Sequence, residues 1–120
     1  MASHDAYDLF QNGMRLLEQG DFHAAAVPLA RVRDAEPDKT SIREALGRAY
    51  FRSGRYGRAA SEFSAVVEHS PANDYAHFCL GRSFEKLGDR RSARRHLSLA
   101  VGMRPDRTDY KIYRDRVRSE

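Results

Sequence analysis

Three sets of residues recur at one interval along this chain. Proline stands at 37, 71 and 105, glycine at 13, 47 and 81, and a second glycine at 20, 54 and 88. Each set steps by 34 residues, and independent series with a common step mark an internal repeat. The units run 6–39, 40–73 and 74–107, followed by a tail over 108–120. A unit of this size cannot bury its apolar face alone, so neighbours must stack, and about three units is the working minimum.

The marker residues fix the anatomy of a unit. Gly20, Gly54 and Gly88 sit where a first helix must stop and a left-handed residue is wanted. The prolines sit where a second helix must finish. Between them lie two stretches with helical periodicity. In the second unit Ile42, Leu46, Ala49 and Tyr50 share one face, and Ala59, Ala60, Phe63, Val66 and Val67 share another. Asp21 and Asp89 follow their glycines at capping positions, whereas Arg55 cannot cap. Small residues at Gly13, Gly47 and Gly81, with Ala25, Ala59 and Ala93, let paired helices approach closely. Leu16, Tyr50, Phe84, Leu29, Phe63 and Leu97 fill the space around each contact. The pattern predicts helices over 6–19, 22–35, 40–53, 56–69, 74–87, 90–102 and 107–118, with no strand inside 6–107. Residues 1–5 are expected to fray, and Pro28 to kink the second helix locally. Tyr110, Ile112, Tyr113 and Val117, set among Lys111, Arg114, Arg116 and Arg118, make the tail an amphipathic capping helix.

These residues resemble the tetratricopeptide repeat (TPR). The second unit carries Leu46, Gly47, Tyr50, Gly54, Ala59, Phe63, Val66 and Pro71. The third carries Leu80, Gly81, Phe84, Gly88, Ala93, Leu97, Ala100 and Pro105. The first is looser, with Leu9, Asn12, Gly13, Leu16, Gly20, Ala25, Leu29, Val32 and Pro37. Asn12 stands in place of the usual leucine. The resemblance covers 6–107 and implies an all-α, right-handed α-solenoid of three helix-turn-helix repeats with a C-terminal capping helix. The chain looks like the short stand-alone TPR proteins of bacteria, which implies a scaffold for protein binding.

Composition narrows the functional classes. With 41% hydrophobic residues in 120, the chain suits one compact domain, and it has no apolar run of membrane-spanning length. The N-terminus lacks the basic start and apolar core of a secretion signal. Cys79 stands alone, which excludes an intramolecular disulfide and suits a reducing cytoplasm. His4, His23, His69, His77 and His96 never fall into metal-ligand spacing with one another or with Cys79. Every repeated glycine is explained by helix packing or termination, which leaves no phosphate-binding loop. No enzyme activity, metal or cofactor is expected.

The resemblance also implies where a partner would lie, because the first helices of TPR units line a concave groove. Its inward positions fall on Tyr7, Phe10, Met14 and Leu17, then Glu44, Arg48, Phe51 and Arg52, then Tyr75, Phe78, Cys79 and Arg82. Some TPR domains hold a chaperone's C-terminal carboxylate with a clamp of lysine, asparagine and arginine. At those positions this chain has Phe10, Met14, Ala45, Tyr75 and Cys79, none of which can act as a charged clamp. A groove that is aromatic at its ends and basic between favours a peptide or protein segment with apolar side chains and a carboxylate, met by Arg48 or Arg82. Two readings compete with that one. Tyr7, Phe10, Met14 and Leu17 form an apolar stripe that can instead pack inward or pair two copies, and the units differ in net charge, from −2 in the first to +4 in the third. A weak homodimer is the reading this allows. Arg90, Arg91, Arg94 and Arg95 form a basic face on the third unit, an alternative site for nucleic acid or an acidic protein. No aromatic residues interleave that run, which argues against nucleic acid.

Overall fold

The computed structural model describes residues 3–119, with side chains from residue 5. Its seven α-helices are α1 (Ser3–Glu18), α2 (Phe22–Ala35), α3 (Thr40–Arg52), α4 (Tyr56–His69), α5 (Asp74–Leu87), α6 (Arg90–Met103) and α7 (Thr108–Ser119). The described residues contain no strand, and none of their helices is long and apolar enough to cross a membrane. The boundaries follow the 34-residue register closely except at the start. Met1 and Ala2 lie outside the described residues, but Ser3, His4 and Asp5 belong to the first turn of α1 rather than to a frayed end. Asp5 sits at the positive end of the helix dipole, which favours that extra turn. α2 runs through Pro28 without a break, although the proline leaves the carbonyl of Ala24 without its helical donor.

The first helix of each unit ends in the same way. Gly20, Gly54 and Gly88 have φ of 80°, 82° and 84°. The amide after each glycine reaches back to the carbonyl of Leu16, Tyr50 or Phe84 at 2.8–2.9 Å, and the glycine amide itself to that of Leu17, Phe51 or Glu85. This double bond pattern satisfies carbonyls that the helix end would otherwise orphan. The second helices start less uniformly. Asp89 accepts the amide of Ser92 at 3.1 Å, but Asp21, with nearly the same backbone angles, makes no side-chain cap bond. Asn73 caps α5 by accepting the amide of Ala76 at 3.0 Å.

Glycine sets the spacing of the two helices in a unit. A Cβ on Gly13 would lie 2.6 Å from Leu29, one on Gly47 2.8 Å from the Phe63 ring, and one on Gly81 2.8 Å from Leu97. Leu29, Phe63 and Leu97 are buried in these contacts, and with Leu46, Ala59, Val66 and Ala100 they carry the core from unit to unit. The molecule measures 48 × 25 × 23 Å, as stacked layers require.

Polar contacts at the seams between units repeat as well. Arg43 Nε donates to the carbonyl of Pro37 at 2.7 Å, and His77 Nε2 donates to that of Pro71 at 2.8 Å. Arg43 then pairs with Glu62 at 3.1 Å, and His77 with His96 at 3.1 Å between Nδ1 atoms. All three residue pairs (37 and 71, 43 and 77, 62 and 96) lie one repeat apart. The same scaffold thus holds an ion pair in one seam and two imidazoles in the next. Arg33 also donates to Glu62, so this buried carboxylate faces two guanidinium groups. Because Nε2 of His77 donates to a carbonyl, a neutral pair requires Nδ1–H of His96 to donate to Nδ1 of His77.

Burial, then the neighbouring His77 and Arg95, lower the pKa of His96 to about 4. An unfolded chain protonates its histidines near 6.5, a proton that folded His96 refuses. Its contribution to stability is therefore intact above that value and is lost as pH falls toward 4. The stability gap between wild type and His96→Gln should narrow from about pH 7 to about pH 4.5 in urea unfolding. A gap constant across that window contradicts this account.

The two ends of the array differ. Ile42, Ala45 and Ala49 of α3 face the preceding unit and are buried, as are Ala76 and Ser83 of α5. α7 places Tyr110, Tyr113 and Val117 at the same register positions, so it docks as a first helix of a fourth unit would, with Tyr110 and Val117 buried. Ile112, read from sequence as part of that apolar side, lies off the docking stripe and is 59% exposed. In α1 these positions are the exposed Asp8, Gln11 and Arg15. Asn12 follows the same logic. The equivalent Leu46 and Leu80 are buried, whereas Asn12 lies half-exposed on the first helix of the described residues.

Candidate functional site

A cavity of about 170 Å³ opens between the first helices of the three units. Leu17, Phe51 and Phe78 wall it, and Tyr75 and Cys79 lie along one side. Arg48, Arg52 and Arg82 supply its charge. Phe22, from the first turn of α2, and Phe63, from α4, complete the lining, and neither was among the residues expected from sequence. Phe63 is there because Gly47 lets its ring pass beneath α3. Side chains from three successive first helices meeting in one hollow identify the concave side of the array.

The three arginines have different surroundings. Arg82 donates from Nε to Glu85 at 3.0 Å, and its guanidinium lies 3.8 Å from the Tyr113 ring and 5.5 Å from that of Phe51. Arg116 of α7 binds the other oxygen of Glu85 through Nε and Nη2, at 2.9 and 2.6 Å. Arg82 is thus already ion-paired and only 16% exposed, so of the two arginines expected to meet a partner's carboxylate it is the one already engaged. Arg48 is exposed, and Arg52 is exposed with its guanidinium 4.5 Å above the Phe22 ring. Among the described residues no carboxylate lies within ion-pairing distance of either. Burial, more than any charge, pushes the Cys79 thiol up to about 12 and raises the neighbouring Tyr75 hydroxyl. Cys79 is therefore a protonated apolar wall at neutral pH and not a nucleophile.

Four of the expected residues stand outside this cavity. Tyr7 and Phe10 line a separate hollow of about 360 Å³ against Val32, Lys39 and Ile42. Phe10 and Met14 pack on the core and Leu17 is buried, so the stripe on α1 is largely internal and leaves only Tyr7, 64% exposed, in solvent. Glu44 accepts a hydrogen bond from Asn73 Nδ2 at 2.6 Å, which orients the cap of α5. Phe78 keeps one face on the cavity while Tyr110 stacks on it at 4.5 Å and Tyr113 meets it edge-on at 5.6 Å. Arg90, Arg91, Arg94 and Arg95 are all exposed on α6, away from the cavity.

The tetratricopeptide repeat family profile matches residues 10–76, more than half of the chain. The chain belongs to the tetratricopeptide repeat family. Among relatives, the TPR and J domain-containing co-chaperone DNJ1 of Cryptococcus neoformans is 27% identical over 101 residues. The TPR repeat-containing thioredoxin TTL4 of Arabidopsis thaliana is 28% identical over 105. These matches take in 84% and 88% of the chain but only 19% and 15% of the two relatives. The first TPR of Spaghetti (RPAP3), bound to an HSP90 peptide, superposes with a TM-score of 0.89 at 18% identity, covering 99% of this chain and 94% of that one. The Yersinia enterocolitica secretion chaperone SycD, in complex with a peptide of the translocator YopD, superposes at 0.80 with 17% identity, covering 98% and 90%. At these identities the structural likeness establishes the TPR fold.

Proposed function

We propose that this TPR array is a non-catalytic protein-interaction module that holds a partner segment along its concave groove. An apolar side chain of the partner enters the cavity, and an acidic group meets the arginines beside it. The observation that carries this reading is an aromatic-walled cavity of about 170 Å³ with two arginines that have no carboxylate partner among the described residues. A dry cavity of about 150 Å³ is large enough for a benzene ring, so one large side chain fits. Two TPR structures that resemble this chain hold peptides, which supports the same use of the fold here. Phe10, Met14, Ala45, Tyr75 and Cys79 still argue against a clamp for a terminal carboxylate, so the acid is a side chain. A reducing cytoplasm suits a module with one unpaired thiol.

Selection of random dodecapeptides displayed on phage tests this reading. The wild-type protein should enrich sequences that combine a large apolar residue with aspartate or glutamate. The most enriched peptide, added to labelled protein, should shift the amide resonances of Leu17, Arg48, Phe51 and Tyr75. Arg94→Glu on the outer face should leave its affinity within about twofold, since a remote exposed charge contributes little. Shifts centred instead on Arg90, Arg91, Arg94 and Arg95 would transfer the site to the basic face.

A further inference from the structure

Arg48, Arg82 and Arg116 stand 34 residues apart and so occupy one register position on α3, α5 and α7. Between the second and third members lies Glu85, which binds both. Between the first and second, the residue in the place of Glu85 is Phe51, one repeat earlier, whose ring lies 5.5 Å from the guanidinium of Arg82. The chain thus supplies its own carboxylate at one of these places and an aromatic ring at the other. Resting on the groove reading above, we infer that a partner's carboxylate pairs with Arg48, beside Arg52, and supplies there the charge that Phe51 lacks and that Glu85 gives to Arg82 and Arg116.

Arg48 is then the specificity-determining residue for an acidic side chain, and Arg82 is a positioning residue that braces Phe51 and Tyr113. Both charges and the apolar walls belong to one small cavity, so the acid and the apolar anchor must be close neighbours in the partner. The partner class is a protein segment in which aspartate or glutamate lies next to a leucine, methionine or aromatic residue. Glu85 further restricts the choice. A second acid aimed at Arg82 or Arg116 would have to displace a carboxylate already held by three hydrogen bonds from their guanidiniums. A segment with one acid per anchor is therefore preferred to a polyacidic run.

The test is the same dodecapeptide library selected in parallel on wild type, Arg48→Gln and Arg82→Gln, with circular dichroism to verify folding. On wild type, acids adjacent to the apolar anchor should be enriched over the starting library. On Arg48→Gln that enrichment should disappear while the apolar preference persists. The top wild-type peptide should lose about tenfold or more in affinity, as when one partner of a desolvated charge pair is removed. On Arg82→Gln the acidic preference should remain. An acidic preference that survives Arg48→Gln overturns the inference, as does apolar enrichment on wild type with no acid beside the anchor. The Arg48 arm decides alone if Arg82→Gln loosens α7, because Arg48 is exposed and makes no ion pair among the described residues. No enrichment of any kind on wild type would remove the groove reading itself.

Discussion

Replacing Gly81 by leucine should destabilise the protein by about 3 kcal/mol, the upper end for overpacking a tight contact. The Cβ alone would stand 2.8 Å from Leu97 Cγ and 3.1 Å from the Leu97 backbone nitrogen. A side chain can rotate away from such an intrusion, but a backbone nitrogen moves only with its helix. Leu97 is itself fully buried and packs with Ala93 and Val117, so its retreat would disturb α7 as well. Gly102 is the control, because a Cβ there meets nothing within 4 Å. Gly102→Ala should be neutral or stabilising by up to about 1 kcal/mol, the ordinary helix preference for alanine. Urea unfolding compares the two directly. Leu97→Ala added to Gly81→Leu should recover part of the loss, since the residues share one contact. An unchanged midpoint for Gly81→Leu would show that the α5–α6 spacing is not set by this glycine.

Much of the architecture was legible because the repeat imposes one physical problem three times. Gly47 and Gly81 must be small because a ring or a leucine crosses there, and Gly54 and Gly88 must turn left-handed because a helix ends there. A single sequence carries both demands as spacing. The site was legible only as a set of positions. The register placed Leu17, Arg48, Phe51, Arg52, Tyr75, Phe78, Cys79 and Arg82 at inward positions, and these are eight of the ten cavity residues. It could not tell which of them another side chain would claim. Arg82 and Arg48 are equivalent by spacing, yet Glu85 and Tyr113 absorb one and leave the other in solvent. One signal was present, because Arg116 continues the register of Arg48 and Arg82 and so falls within reach of Glu85. Phe10 and Met14 pack on the core and do not line this cavity. Their spacing describes a stripe, but whether a stripe faces a partner or its own core depends on the tilt of the next helix, which spacing does not encode. The paired histidines were visible singly, and only the equivalence of His77 and His96 to Arg43 and Glu62 reveals them as one seam.

Tyr110→Ala should have the largest effect of any tail substitution, about 3–5 kcal/mol if the array unfolds as one unit. The Tyr110 side chain is fully buried, stacks on Phe78 at 4.5 Å and lies beneath the Arg107 guanidinium at 4.4 Å. Its hydroxyl donates to Asp74 Oδ2 at 2.7 Å, tying α7 to the first turn of α5. Removing the ring leaves a cavity between α5, α6 and α7 that little can fill, because Ala100 beside it is small and already buried. Tyr110→Phe separates the two contributions. It keeps the stack and loses only the bond to a half-exposed carboxylate, at a cost of about 1 kcal/mol. The larger variant also has a consequence in the groove. When α7 loosens, Arg82 loses the Tyr113 ring and Glu85 loses Arg116, so Arg82 and Glu85 keep only each other and become more exposed in the groove. Amide hydrogen exchange should then show α7 opening well below the global unfolding free energy, with α3 and α4 protected nearly as in wild type. If α7 amides in Tyr110→Ala remain as protected as those of α5, and the urea midpoint falls by less than the Tyr110→Phe change, the aromatic stack is not what holds the capping helix. The burial of Val117 and the pairing of Arg116 with Glu85 would then carry the docking instead.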